Sequence, residues 1–393
     1  MESTSVLMMK LIRECIDKDF CADIAADSFS DQALSELYKL AASHDVAHLV
    51  ASSLELRSVL KNGKPHEAFK RSLMLSAYRH EGQAYEIDRI CRVFESQHIP
   101  FMLLKGSELC YEYPQAYLRT RSDIDVLVKT DQLDAAKKAL CRELSYIENT
   151  STGSSHDISL MSEGGVHIEL HYSLWDEDIE SCVGKSAAVI LKGVWKSAEL
   201  CGESLYRYRM NEALFGFYHY VHMAKHVLNG GCGVKPFVDI MILKKRGGEC
   251  ERELYRLAQE GKIDTFILQV NRLAEVWFAD AQHDGVSRAF EQYVLCGGVY
   301  GTVENRLSVG QEKKHGKMGY ALSRVFLPWS VLKYRYPILK KHRWLTPVFE
   351  VVRWFSLVFG GKATRAITEL KINAGISDEK AEMTRELIKN IGL

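Results

Sequence analysis

Asp123 and Asp125 are the residues most suited to chemistry in this sequence. They open the run Asp-Ile-Asp-Val-Leu-Val, whose apolar remainder reads as a buried strand. Residues two apart on a strand point to one face, so D-x-D sets two carboxylates side by side, about 7 Å apart along the strand. Adjacent anions repel, and burying them unpaired is costly. A divalent cation removes both problems, and magnesium takes oxygen ligands, usually one or two carboxylates together with substrate phosphates.

A third acid stands downstream. In VHIELHYSL, residues 166–174, alternation places Val166, Ile168 and Leu170 on one face and His167, Glu169 and His171 on the other. A His-Glu-His face could also suit a transition metal, but the reading preferred is an acid triad of Asp123, Asp125 and Glu169 holding metal. Further upstream, Gly106-Ser107 follows a short apolar run, Ile99–Gly106. A glycine at the end of a strand lets the backbone approach a phosphate, and a helix start offers unpaired N–H groups. Arg119 and Arg121 precede the D-x-D and could meet phosphates; for Arg119, an ion pair that positions the strand is an equal reading.

These residues need elements to hold them. Residues 1–95 read as a helical N-terminal region, with apolar residues at helical spacing from Leu34 to Ala41. Residues 96–205 alternate strand, helix, strand (123–128), helix (131–144) and a hairpin of strands 156–161 and 166–174, joined by Ser162–Gly165. Helical periodicity returns in residues 206–300, beginning with the apolar helix LFGFYHYVHMAKHVL that Asn229-Gly230-Gly231 stops. Residues 301–393 form a helical C-terminal region rich in basic and aromatic residues. The fold class expected is therefore α+β, a small mixed sheet flanked by N- and C-terminal helical regions. His219, His222 and His226 share one stripe of the apolar helix and read as packed or hydrogen-bonded histidines lining a cleft rather than metal ligands.

The order strand, Gly-Ser, helix, D-x-D strand, later acid-bearing strand resembles the DNA polymerase β-like nucleotidyltransferase superfamily. The wording LLKGSEL, YPQAYLRTRSDIDVLV and VHIELHYSL is similar to the bacterial family of uncharacterised nucleotidyltransferases: Leu104-Lys105-Gly106, Tyr113-Pro114, Arg119, Asp123-Ile124-Asp125 and Glu169-Leu170-His171-Tyr172 occupy its motif positions, and His222, Lys225, His226 and Val238-Asp239 fit its helical segment. Glu169 stands where Asp is commoner and Tyr172 where Trp is frequent; the longer acid still reaches a metal. The resemblance implies a metal-dependent transferase that moves a nucleoside monophosphate from an NTP to an acceptor hydroxyl and releases pyrophosphate. Asp123, Asp125 and Glu169 would be catalytic and bind Mg²⁺, or Mn²⁺. Gly106, Ser107, Arg119 and Lys225 would bind the nucleotide, Lys225 by offsetting triphosphate charge, with a solvated helix face as its alternative. The acceptor would be a small molecule by analogy, with a protein or RNA as alternatives.

Composition bounds the other readings. The chain has 393 residues, 47% hydrophobic and 26% charged, with 51 basic and 51 acidic residues. Zero net charge argues against a wholesale nucleic-acid coat, so nucleic acid is not the favoured partner. Ten cysteines without a C-x-x-C pair fit a reducing compartment and exclude a zinc ribbon. Residues 1–20 lack a signal-peptide pattern, and the most apolar stretch, 344–359, is broken by Glu350 and Arg353, so no membrane span is expected and the cytoplasm is the expected location. The competing functions are a non-catalytic nucleotide-binding module, a helical interaction protein, and a toxin- or antitoxin-type transferase acting on tRNA or a partner protein.

Overall fold

The computed structural model describes residues 3–149, 156–175, 177–245, 247–299, 301–313, 316–359 and 363–393. Four helices come first: α1 (Thr4–Ile16), α2 (Asp31–Ser43), α3 (Ala47–Leu56) and the long α4 (Lys64–Ser96). Ser3 and Ser30 cap the first two with side-chain oxygens that accept from Val6 and Ala33. The mixed region follows, with β1 (Phe101–Leu103), α5 (Gly106–Leu109), β2 (Asp123–Val128), α6 (Leu133–Glu143), β3 (Ile147–Glu148), β4 (Asp157–Met161), β5 (His167–His171), α7 (Glu177–Lys192, kinked at Gly184), β6 (Glu199–Leu200) and β7 (Arg207–Arg209). Helices complete the chain: α8 (Glu212–Leu228), α9 (Lys235–Lys244), α10 (Gly248–Gly261), α11 (Asp264–Phe278), α12 (Gly285–Gly297), α13 (Val303–Lys313), α14 (Lys317–Val325), α15 (Trp329–Arg335), α16 (Thr346–Phe359), α17 (Ala363–Gly375) and α18 (Asp378–Asn390). The fold is α+β, one mixed seven-stranded sheet with helices flanking it.

The strand order is β3-β4-β5-β2-β1-β7-β6. β2 lies at the centre, parallel to β5 and antiparallel to β1. The short strands β3, β6 and β7 have no alternation long enough to be read from sequence. β7 is placed from outside: the Glu95 carboxylate, at the end of α4, accepts the backbone N–H groups of Leu205, Tyr206 and Arg207, and β7 then pairs parallel with β1. The expected 131–144 helix forms as α6, and its apolar face, Ala136 and Leu140, is buried.

Period-two alternation divides the sheet into two faces. Ile124, Val126 and Val128 of β2 and Ile168 and Leu170 of β5 pack with Ile90, Phe94 and Leu140 from α4 and α6. The opposite face, bearing Met102 and Leu127, joins a larger core built from α1–α3 and α7–α12. Helices from 1–95 and 206–300 thus bury their apolar residues together, and the acidic residues of β2 and β5 look toward that helical layer.

Candidate active site

The register of three adjacent strands builds the site in rows. Asp125 of β2 sits opposite Glu169 of β5, which sits opposite Ser159 of β4. One row along, Asp123 is opposite His167, which is opposite Met161. Because pairing partners project to the same side of a sheet, the three expected acids share one face. Ligand atoms of Asp123, His167 and Glu169 lie within 4.8 Å of one another, as do those of Asp125, Glu169 and His171. The second arrangement needs no chelation by His167 and His171 together, which their separation on one strand disfavours.

Two side chains that the sequence reading left without a role complete the centre. Lys105 Nζ donates to Asp125 Oδ1 at 2.7 Å, and His171 Nε2 lies 2.8 Å from the same oxygen and 3.4 Å from Glu169 Oε2. Lys105 reaches inward because β1 ends at Leu103, Leu104 N–H bonds the Asp125 carbonyl at 3.0 Å, and Lys105 itself takes a left-handed backbone, φ +46°. A non-glycine residue there costs on the order of 1–2 kcal/mol. The clue to it in the sequence is a lysine closing an otherwise apolar run.

Electrostatics separates the two aspartates. Burial works against the Asp125 carboxylate, but Lys105 and His171 outweigh it and hold Asp125 below the usual carboxylate range. His171 is pulled down by burial and raised, on balance, by Asp125 and Glu169. Its hydrogen bond holds Glu169 below its usual value. At Asp123 the charge of Lys105 is outweighed: burial, then the charges of Asp125 and Glu169, push its carboxyl up to about 6. The site therefore carries uncompensated like charge on Asp123, a condition that a divalent cation relieves. Each of the two clusters is two carboxylates and one imidazole, and they share Glu169; the carboxylate oxygens fit Mg²⁺ or Mn²⁺, and the imidazoles suit a transition metal as well.

Gly106 opens α5 as expected, and its lack of a side chain has a visible reason. A Cβ there would lie 3.3 Å from Arg119 Nη1 and 3.4 Å from Arg121 Cβ. Ser107 is buried, and among the described residues its Oγ has no hydrogen-bond partner; the same holds for Nε and Nη2 of Arg121. Arg119, expected at nucleotide phosphates, is instead engaged by a buried acid. Its Nε and Nη2 donate to Asp239 Oδ1 and Oδ2 at 2.6 and 2.8 Å, and Tyr113 OH donates to Asp239 Oδ1 at 2.6 Å. The positioning alternative for Arg119 is the one this geometry favours: the pair ties the segment before β2 to α9. Tyr113, Arg119 and Asp239, all in motif positions of the sequence, are thereby one network.

A cavity of about 380 Å³ adjoins Lys105, Glu169 and His171. α8 supplies its other wall with Tyr218, His222, Lys225 and His226. Burial, then the charge of Lys105, lowers the pKa of His222 and brings that of His226 to about 4. The two rings are joined by an Nε2–Nε2 hydrogen bond of 2.8 Å, as expected of histidines lining a cleft. His219 is turned toward Asp239 and the Pro236 carbonyl. Of the three acids, Glu169 lines this cavity and Asp123 and Asp125 do not; two further cavities, of about 490 and about 760 Å³, contain none of them.

Over residues 30–279 the chain matches the family described as uncharacterised nucleotidyltransferase, and it belongs to that family. The match includes every strand of the sheet and the α8 wall of the cavity. No curated protein and no solved structure matches the chain.

Proposed function

We propose that this protein transfers a nucleoside monophosphate from an NTP to a hydroxyl of a small acceptor, with release of pyrophosphate. The observation that carries the reading is the row of Asp125 against Glu169, with Asp123 beside it, on one sheet face, where Glu169 reaches the wall of a cavity. Asp123, Asp125 and Glu169 would hold Mg²⁺, or Mn²⁺. Such an ion, when bound, would neutralise phosphate charge in the transition state. Lys105 supplies fixed positive charge beside the acids. Ser107 Oγ and the Gly106 backbone, next to Lys105 in the chain but not on the cavity wall, are assigned to the phosphates, and Lys225, on the wall that α8 forms, to the triphosphate. Arg119 acts through Asp239 as a positioning residue. The acceptor oxygen forms its bond to the α-phosphorus as the bond to the pyrophosphate oxygen breaks; the pyrophosphate keeps that electron pair, and the hydroxyl proton leaves to solvent through the cavity.

A cavity of about 380 Å³ is the size of a small-molecule pocket, which supports a small acceptor over a folded RNA. The test incubates the protein with each labelled NTP, Mg²⁺ or Mn²⁺, and a cell extract as acceptor source. Metal-dependent label transfer, lost in both Asp123→Asn and Asp125→Asn, is expected. Metal-dependent NTP binding without transfer would establish the non-catalytic module instead. Absence of both would overturn the assignment of the three acids.

A further inference from the structure

The C-terminal helices present a face that inverts the ordinary arrangement of a surface helix. On α16, Val348, Val351, Val352 and Phe355 stand at i, i+3, i+4 and i+7, one stripe of the helix. Trp344, four residues before Val348, precedes the stripe at the same spacing. All five are exposed, from 43% at Val351 to 75% at Trp344. The charged residues of α16 point the other way: Glu350 and Arg353 are 7% and 4% exposed and pair at 2.8 Å. Glu350 also accepts the Leu327 N–H, while Arg353 and Trp354 donate to the Val325 carbonyl. This buried polar network fixes which way the helix faces, so the apolar stripe is held outward by specific contacts.

Charge around the stripe is equally one-sided. Residues 316–359 contain eight Lys or Arg and one acid, Glu350, in a chain whose total is 51 of each sign. Glu350 is buried against Arg353, and Lys317 and Arg324 meet Asp378 of α18 and Glu369 of α17, so the basic excess of the segment is concentrated in residues 333–343. Lys340, Lys341 and Arg343 are exposed and immediately precede Trp344.

We propose that this face lies on an anionic lipid surface, with the stripe from Trp344 to Phe355 at the boundary of headgroups and acyl chains and Lys340, Lys341 and Arg343 at lipid phosphates. A basic rim beside an apolar stripe is what such an interface binds. Among the described residues no helix is long and apolar enough to cross a membrane, so the attachment is to the surface. Three of the five stripe residues are valines lying between Trp344 and Phe355, which break the run of aromatic platforms that a single-stranded RNA site uses, and a second copy would bring two basic fields together.

The test is sedimentation of the full chain with phosphatidylcholine vesicles and with vesicles containing about one quarter phosphatidylglycerol. Binding to the anionic vesicles alone, weakened by salt, is expected. Trp344→Ser with Val351→Ser should abolish it. Lys340→Gln, Lys341→Gln and Arg343→Gln together should weaken it on the order of 100-fold, at about fivefold per charge. All five positions are exposed, and unchanged circular dichroism and thermal midpoint would show that the variants fold. No binding to anionic vesicles at low salt overturns the proposal. So does concentration-dependent dimerisation that the Trp344→Ser, Val351→Ser variant removes in the absence of vesicle binding. RNA binding that the charge variant loses and the apolar variant keeps, again without vesicle binding, does the same.

Discussion

Asp123→Asn and Asp125→Asn remove one charge each from neighbouring positions on β2, yet they should change stability in opposite directions in metal-free protein. Asp123 keeps its proton up to about pH 6, against 3.8 for a free carboxyl, because burial and then the charges of Asp125 and Glu169 disfavour its anion. The sign follows from proton linkage. Well below 3.8 the carboxyl is protonated in folded and unfolded chains alike and contributes nothing. As pH rises through 6 the unfolded chain has already ionised, and the folded chain must follow against its surroundings. At pH 8 that costs about 3 kcal/mol, at roughly 1.4 kcal/mol for each tenfold change in equilibrium. Asn removes the penalty, so Asp123→Asn should stabilise the metal-free protein by up to about 3 kcal/mol at pH 8 and by almost nothing at pH 4. Asp125→Asn instead strips Lys105 and His171 of the carboxylate they share at 2.7 and 2.8 Å. Removing one partner of a buried pair costs about 3–5 kcal/mol. Urea denaturation of wild type and both variants in a chelator, at pH 4 and pH 8, measures the difference. Added Mg²⁺ with NTP should then raise the wild-type midpoint by mass action and leave that of Asp123→Asn unchanged. Transfer activity should be lost in both variants. Destabilisation by Asp123→Asn at pH 8, or a gain equal at both pH values, would refute the account of crowded acids.

Three more outcomes are expected. Lys105→Met should destabilise the protein by about 3 kcal/mol or more, because Asp125 stays buried beside His171 alone; a change under about 0.5 kcal/mol in urea denaturation would contradict the pairing. Asp239→Asn should cost about 3–5 kcal/mol by leaving Arg119 buried without its bidentate partner, whereas Tyr113→Phe, losing one hydrogen bond to the same carboxylate, should cost about 1–3 kcal/mol. His48, buried with Nε2 2.9 Å from the Leu118 carbonyl, has its pKa brought to about 4 by burial and then by Lys235. Its contribution is full above the unfolded value of 6.5 and is lost as pH falls toward 4, about 3 kcal/mol in all. His48→Gln should flatten the stability profile between pH 4 and 6.5, and an unchanged slope would show that another group governs it.

The sequence by itself determined the acids and the face they occupy. Period-two alternation in 123–128 and 166–171 is sufficient to put Asp123, Asp125, His167, Glu169 and His171 opposite the apolar set, because a strand allows only two directions. The expected helices at 131–144 and from 213 to 228, and the hairpin with its glycine-bearing loop, follow from the same local rules. Pairing between strands was a different matter. That Asp125 lies against Glu169 depends on the register of β2 with β5, two segments separated by a helix and a hairpin strand, and no local spacing encodes it. The contacts of Lys105 and Arg119 are likewise made with partners distant in sequence. One lysine turns inward through a left-handed residue to meet Asp125; one arginine is held by Asp239, 120 residues away. β7 is three residues long and exists because Glu95 and β1 hold it in place. Local sequence fixes where a side chain points relative to its own backbone, and tertiary packing alone decides which charge it meets there and how far its pKa moves.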